Sequence, residues 1–151
     1  MRRFYPDRRE KSAYTIDYAD LYRKGYRGVI FDIDNTLVPH GAPATKEAAA
    51  FFASLRETGF STCLLSNNQK PRVAPFADAV GSIYIENAHK PSVKNYQEAC
   101  RRMGIKEEQA VFVGDQLFTD VYGAKRTGLY NILTEPIDPK EEIQIVLRRY
   151  L

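Results

Sequence analysis

A chain of 151 residues can bury a real core in one domain, and 44% apolar with 27% charged residues is the balance of an ordinary globule. The longest apolar run, residues 48–53, falls far short of the ~18 residues of a membrane span, and the start lacks the apolar core of a signal peptide. The net charge of +3 is modest, and the two cysteines, Cys63 and Cys100, have neither a disulfide framework nor zinc-site spacing. They read as reduced core residues of a cytoplasmic protein.

Taken in chain order, the first feature is a basic leader. Arg2, Arg3, Arg8, Arg9 and Lys11 crowd the first eleven residues around Phe4 and Tyr5. Composition predicts a solvated, partly disordered arm; the sharper reading is attraction to an anionic surface, lipid headgroups or nucleic acid. With a helix over Asp17–Lys24, this forms a leader of residues 1–26 ahead of a domain at 27–151. Strands are expected near Gly28–Asp32, Ser61–Ser66, Ser82–Ile85, Ala110–Gly114 and Tyr130–Leu133. Helices are expected over Ala44–Thr58, Arg72–Ala79, Ser92–Met103, Thr119–Thr127 and Pro139–Arg149. Gly25, Gly59, Gly104 and Gly128 each follow a helical stretch, where a cap glycine belongs. Helices between strands imply right-handed parallel crossovers and a five-stranded sheet covered on both faces. Phe51, Phe52 and Leu55 fall at helical spacing and read as core. Ile143, Val146, Leu147 and Tyr150 mark one face of the last helix.

The chemistry sits where such a sheet places it, at the carboxyl ends of strands. Residues 29–37 deliver Asp32 and Asp34 from an apolar run, two residues apart and so on one side of the strand. Buried converging carboxylates require a cation, and oxygen donors suit Mg²⁺. An Asp beside Mg²⁺ can also attack phosphorus. Ser66 and Asn67 end the second strand, and Asp115 follows Gly114 at the end of the fourth. Taken singly, Asp34 and Asn35 read equally well as turn residues or caps, Asp120 as an N-cap, and residues 66–68 as a polar turn. His40 and His89 read as surface loop residues; Lys70 and Arg72 read as a solvated helix start, with contact to a substrate phosphate or headgroup as the second reading.

Four ordered segments, FDIDNTL, LLSNN, Lys90-Pro91 and VGDQLFTD, together resemble the haloacid dehalogenase (HAD) superfamily of phosphohydrolases over about residues 27–134. Within it the chain is similar to subclass IIIA and the YqeG-type proteins, related to phosphatidylglycerophosphate phosphatases. The resemblance implies a three-layer Rossmann-like fold and a phosphatase. Asp32 would be the nucleophile and Asp34 the acid and base. Ser66, Asn67 and Lys90 would hold the phosphoryl group. Mg²⁺ would lie on Asp32, the main-chain carbonyl of Asp34, and Asp115. Asn35, Thr36 and Asp120 would support them, Asp120 by orienting Lys90 or a water.

Asp32 and Ser66 are 34 positions apart and Ser66 and Lys90 are 24 apart, spacings that one helix and short connections consume. A cap domain is therefore not expected, and an open site suits a phosphate presented on something large, such as a lipid. Three functions follow: a phosphatidylglycerophosphate phosphatase visiting the inner membrane surface; a soluble-metabolite or nucleotide phosphatase; or a non-catalytic RNA- or protein-binding module on this fold. Nucleic acid is the weakest partner of these, no G-x-x-x-x-G-K-[ST] loop is present, and the sequence leaves the oligomeric state open.

Overall fold

The computed structural model describes residues 5–138. Its centre is a six-stranded, wholly parallel sheet in the order β1-β6-β5-β2-β3-β4. The strands are β1 Arg8–Glu10, β2 Gly28–Phe31, β3 Ser61–Leu65, β4 Ile83–Ile85, β5 Ala110–Gly114 and β6 Tyr130–Thr134. The helices are α1 Tyr18–Arg23, α2 Lys46–Thr58, α3 Lys70–Val80, α4 Val93–Met103 and α5 Gly123–Thr127.

Alternation along the central strands builds two cores. Val29 and Phe31 face one side and join Phe52 and Leu55 of α2 and Val73 and Phe76 of α3. Ile30 faces the other side with Phe112, Tyr96 of α4 and Ala124 of α5. All four residues of β2 are buried, as a strand covered on both faces must be. Thr45 caps α2 by accepting the Ala48 N–H at 3.0 Å. Gly59 ends α2 at φ +117°, where a side chain would also strike the Tyr22 ring.

The sheet has six strands where five were expected, because the leader forms one. Arg8–Glu10 pairs in parallel with β6 at the sheet edge. Asp7 anchors it: its N–H donates to Asn131 Oδ1 at 2.9 Å, and its carboxylate accepts from Asn131 N–H and Nδ2 at 3.1 and 2.8 Å. The expectation of a solvated, partly disordered arm is therefore corrected as to disorder at Arg8–Glu10, which pair in the sheet, while Tyr5, Asp7, Arg9 and Lys11 are exposed. Three consecutive charged residues show no strand periodicity, and an edge strand needs none. Residues 1–4 and the helix expected over Pro139–Arg149 lie outside the described residues.

The helix expected over Thr119–Thr127 is instead a wide π-helical turn, Leu117–Tyr122, running into α5. Helix α3 starts two residues earlier than expected and carries Pro71 in its first turn, where a missing N–H costs nothing. No cap interrupts the motifs: a loop and α2 join β2 to β3, and α3 and β4 lie between Ser66 and Lys90. No helix among the described residues is long and apolar enough to cross a membrane. The chain winds outward from β2 through β3 and β4, then returns to β5 and β6 on the other side of β2. The switch point, and with it the crevice, therefore falls between β2 and β5.

Candidate active site

Asp32 leaves β2 at this switch point, its N–H bonded to the Val113 carbonyl at 3.1 Å. A tight turn follows. Asn35 adopts φ +62°, a conformation Asn tolerates better than most residues. Its N–H donates to Val38 O at 2.7 Å, and Leu37 N–H to Ile33 O at 2.9 Å. Asn35 also ties down the segment after β6, accepting Ile137 N–H on its main-chain oxygen at 3.0 Å. Thr36 Oγ1 donates to Asp115 Oδ1 at 3.2 Å, joining the first and fourth motifs. Both supporting residues thus hold loops together.

The turn directs the Asp34 carboxylate to three donors. These are Gly41 N–H at 2.8 Å, Asn68 Nδ2 at 2.7 Å and Arg72 Nη2 at 2.8 Å. Arg72 is therefore part of the site, which corrects the reading of it as a solvated helix start. Asp34 and Arg72 are far apart in sequence, and no local pattern signals their contact.

At the end of β3, Ser66 Oγ accepts the Asn68 N–H at 3.1 Å. Asn67 Oδ1 accepts the Lys90 N–H at 2.7 Å, so its side chain positions the lysine backbone. Lys90 is buried, with Nζ 3.1 Å from Asp32 Oδ1 and 2.9 Å from Asp120 Oδ1. Burial works against its charge, but Asp120 and Asp32 outweigh this and hold the ammonium protonated well above the ordinary lysine range. Burial pushes the fully enclosed Asp120 carboxyl upward, against the pull of Lys90.

Two glycines and a tyrosine seat Asp120, and no sequence pattern points to that role. A Cβ on Gly114 would collide with the Asp120 carboxylate, and one on Gly123 with the Tyr96 ring. The buried Tyr96 hydroxyl donates to the Thr119 carbonyl and fixes the turn carrying Asp120. Gln116 N–H donates to the other Asp120 oxygen at 3.0 Å. The spacing of Tyr96, Ala99 and Cys100 on α4 signals burial, but not this bond.

Oxygens of Asp32, Asp115 and Asp120 lie within 4.8 Å of one another. A hard divalent cation fits this all-carboxylate set. Asp120 joins the cluster in place of the Asp34 carboxylate, whose expected part was its main-chain carbonyl. The structure thus gathers Asp32, Lys90, Asp115 and Asp120 at the switch point, with Ser66 and Asn67 on the adjoining strand and Asp34 on the rim.

A parallel sheet with a carboxylate and lysine crevice at its switch point defines an α/β enzyme of the phosphate-handling kind. Residues 41–128 match the family model of haloacid dehalogenase-like hydrolases, and the chain belongs to that family. Within it the enzyme is a phosphatase, a phosphoric monoester hydrolase. The chain is 38% identical over 135 residues to the Bacillus subtilis protein named probable phosphatase YqeG, covering 89% of this chain and 78% of that one. It is 30% identical over 141 residues to phosphatidylglycerophosphate phosphatase 1 of Arabidopsis thaliana, covering 87% of this chain but 40% of the plant protein. An uncharacterized protein of Corynebacterium glutamicum shares the fold, with a TM-score of 0.60, 23% identity, and coverage of 84% of this chain and 97% of that one.

Proposed function

We propose that the protein is a Mg²⁺-dependent phosphomonoesterase acting through an aspartyl-phosphate on Asp32, and that its substrate is phosphatidylglycerophosphate. The observation that carries the reaction is the Lys90 ammonium held between Asp32 and Asp120 beside Asp115. Bound by Asp32, Asp115 and the Asp34 carbonyl, Mg²⁺ would offset the negative charge of the phosphoryl group.

An Asp32 carboxylate oxygen attacks phosphorus in line, and the bond from phosphorus to the ester oxygen breaks. Asp34 gives its proton to that oxygen, and the alcohol leaves. Water then attacks phosphorus, its proton passes to Asp34, and the bond to Asp32 breaks, releasing inorganic phosphate and restoring both acids. The Ser66 hydroxyl, Asn67 N–H and Lys90 ammonium donate to the phosphoryl oxygens throughout. Arg72, Asn68 and Gly41 hold Asp34 at the rim, and Asp120 holds Lys90.

Three observations support the lipid substrate. The Arabidopsis relative carries that activity in its name. Among the described residues, no cap stands over the site to enclose a small molecule. Leu117 and Phe118, 40% and 57% exposed on the turn after Asp115, put an apolar edge beside it that suits a bilayer surface. The protein would work at the membrane surface without spanning it.

The test is Mg²⁺-dependent phosphate release from phosphatidylglycerophosphate in mixed micelles, beside a panel of soluble phosphomonoesters, with Asp32→Asn as the blank. Release from the lipid far above the panel supports the whole proposal. Release from soluble esters alone keeps the mechanism and discards the lipid. Activity surviving in Asp32→Asn removes Asp32 as nucleophile, and no release from any phosphate defeats the reading.

A further inference from the structure

We infer that Tyr14 in the leader is a positioning residue for catalysis, holding the turn that aims Asp34 at the leaving oxygen. The inference rests on the phosphomonoesterase reading above, in which Asp34 gives that oxygen its proton. Tyr14 sits on the short helical turn Ala13–Thr15 after β1, where its N–H donates to Ser12 Oγ at 3.0 Å. Its ring packs against Phe51 of α2, with centroids 4.8 Å apart. From there the hydroxyl crosses to the catalytic loop and donates to the Leu37 carbonyl at 2.5 Å.

Leu37 belongs to the turn on which Asp34 stands. Its N–H donates to Ile33 O at 2.9 Å, Asn35 N–H donates to Val38 O at 2.7 Å, and Asp34 and Val38 form a bridge. A shift of Leu37 therefore passes to Asp34 through the bonds that close the turn. Among the described residues no main-chain N–H reaches the Leu37 carbonyl, so the Tyr14 hydroxyl is what satisfies it. Burial and the nearby Glu47 charge push the phenol up to about 12, which keeps it a donor throughout the neutral range.

Asp34 is thus fixed at both ends. Gly41, Asn68 and Arg72 hold its carboxylate, and Tyr14 holds its turn. Proton transfer needs donor and acceptor at hydrogen-bond distance, so slack in the turn slows that step first. Asp32 precedes the turn, and its N–H is tied to Val113 O in the sheet. The nucleophile keeps its place while the acid loses its aim.

The test is kcat/KM for a series of aryl phosphates, from phenyl through para-chlorophenyl to para-nitrophenyl phosphate, at saturating Mg²⁺. This ratio reports the steps up to departure of the alcohol. A good leaving group goes without a proton, so weakening the acid steepens the dependence of rate on leaving-group acidity. Asp34→Asn fixes the slope of a protein with no acid. Tyr14→Phe keeps the ring on Phe51 and removes one oxygen. It should lower kcat/KM about tenfold on phenyl phosphate and about twofold or less on para-nitrophenyl phosphate, a part of the ~10²–10⁴ that acid catalysis contributes. Tyr18→Phe is the control, since its hydroxyl donates to Ala13 O at 2.6 Å and that bond stays within the leader. Its slope should match that of the unaltered protein.

A parallel loss across the series overturns the inference, because Tyr14 would then be supporting the fold or the metal site rather than the acid. So does a Tyr14→Phe enzyme with unchanged kinetics. The same steepening in Tyr18→Phe also overturns it, as that would make the effect a property of any loosened leader. A series that Asp34→Asn leaves unsteepened overturns Asp34 as the acid, and turnover of no phosphate by the unaltered protein overturns the phosphomonoesterase reading. The role of Tyr14 falls with either.

Discussion

Lys90 is the residue on which the candidate site balances. It is a buried cation with a carboxylate on either side, so removing it leaves Asp32 and Asp120 facing each other without compensation. With a chelator present, Lys90→Met should lower stability by about 3–5 kcal/mol in urea melts, the usual cost of breaking a buried pair. Adding Asp120→Asn should return part of that loss, because the second change removes the stranded charge. If the double variant proves less stable than the single one, Lys90 is not serving as the counter-ion. Gly114 gives a second test. Gly114→Ala forces a methyl into the Asp120 carboxylate, so phosphatase activity should fall at least about tenfold even if the fold survives. Unchanged kcat/KM would show that Asp120 can move without consequence.

At the scale of elements, the leader strand is held by a side chain rather than by an apolar face. Asp7 makes three hydrogen bonds with Asn131, and Lys125 Nζ lies 3.3 Å from its carboxylate. Asp7→Ala should lower amide-exchange protection at residues 8–10 by about tenfold, the effect of losing roughly 1–2 kcal/mol of local bonding. Protection in β2 and β5 should hold, and uniform loss across the sheet would show that β1 is not a separable unit.

This strand also marks where the sequence stops being legible. The apolar runs of β2, β3 and β5 and the polar residues closing them can be read directly, because burial on both faces and chemistry at strand ends each leave a pattern. Arg8–Glu10 has no such pattern, since its pairing depends on a partner more than a hundred residues away. The Asp34–Arg72 pair was hidden for the same reason. The π-helical turn reads as an ordinary helix start, and the Tyr96 hydroxyl that holds its Thr119 carbonyl comes from another helix. Sequence periodicity reports which face is buried, and it carries nothing about which buried polar groups meet.

Across the whole molecule, buried acidic hydrogens set a limit on the alkaline side. Burial pushes the Cys63 thiol up to about 12, the Cys100 thiol to about 11 and the Tyr14 phenol to about 12. The unfolded chain releases its thiol protons near pH ~8.5, while the folded protein keeps them. Their contribution to stability is therefore complete below that pH and is lost as pH rises toward 11. The expected slope is up to about 1.4 kcal/mol per pH unit for each fully buried thiol. Urea melts from pH 8 to 10.5 should show this decline, and Cys63→Ala should flatten it. A slope unchanged by that substitution would place the alkaline sensitivity elsewhere.

The winding of the sheet on either side of β2 also bears on how the protein acquires its activity. Asp32 comes from the central strand, Lys90 from the segment after β4, and Asp115 and Asp120 from the strand and turn on the opposite side. Neither wing holds the complete set of residues proposed for catalysis. During refolding, backbone structure can accumulate in each wing while the enzyme remains inert, because pairings distant in sequence form slowly. Catalysis then returns only when the two wings close on β2, so the regain of activity times the last long-range step of assembly.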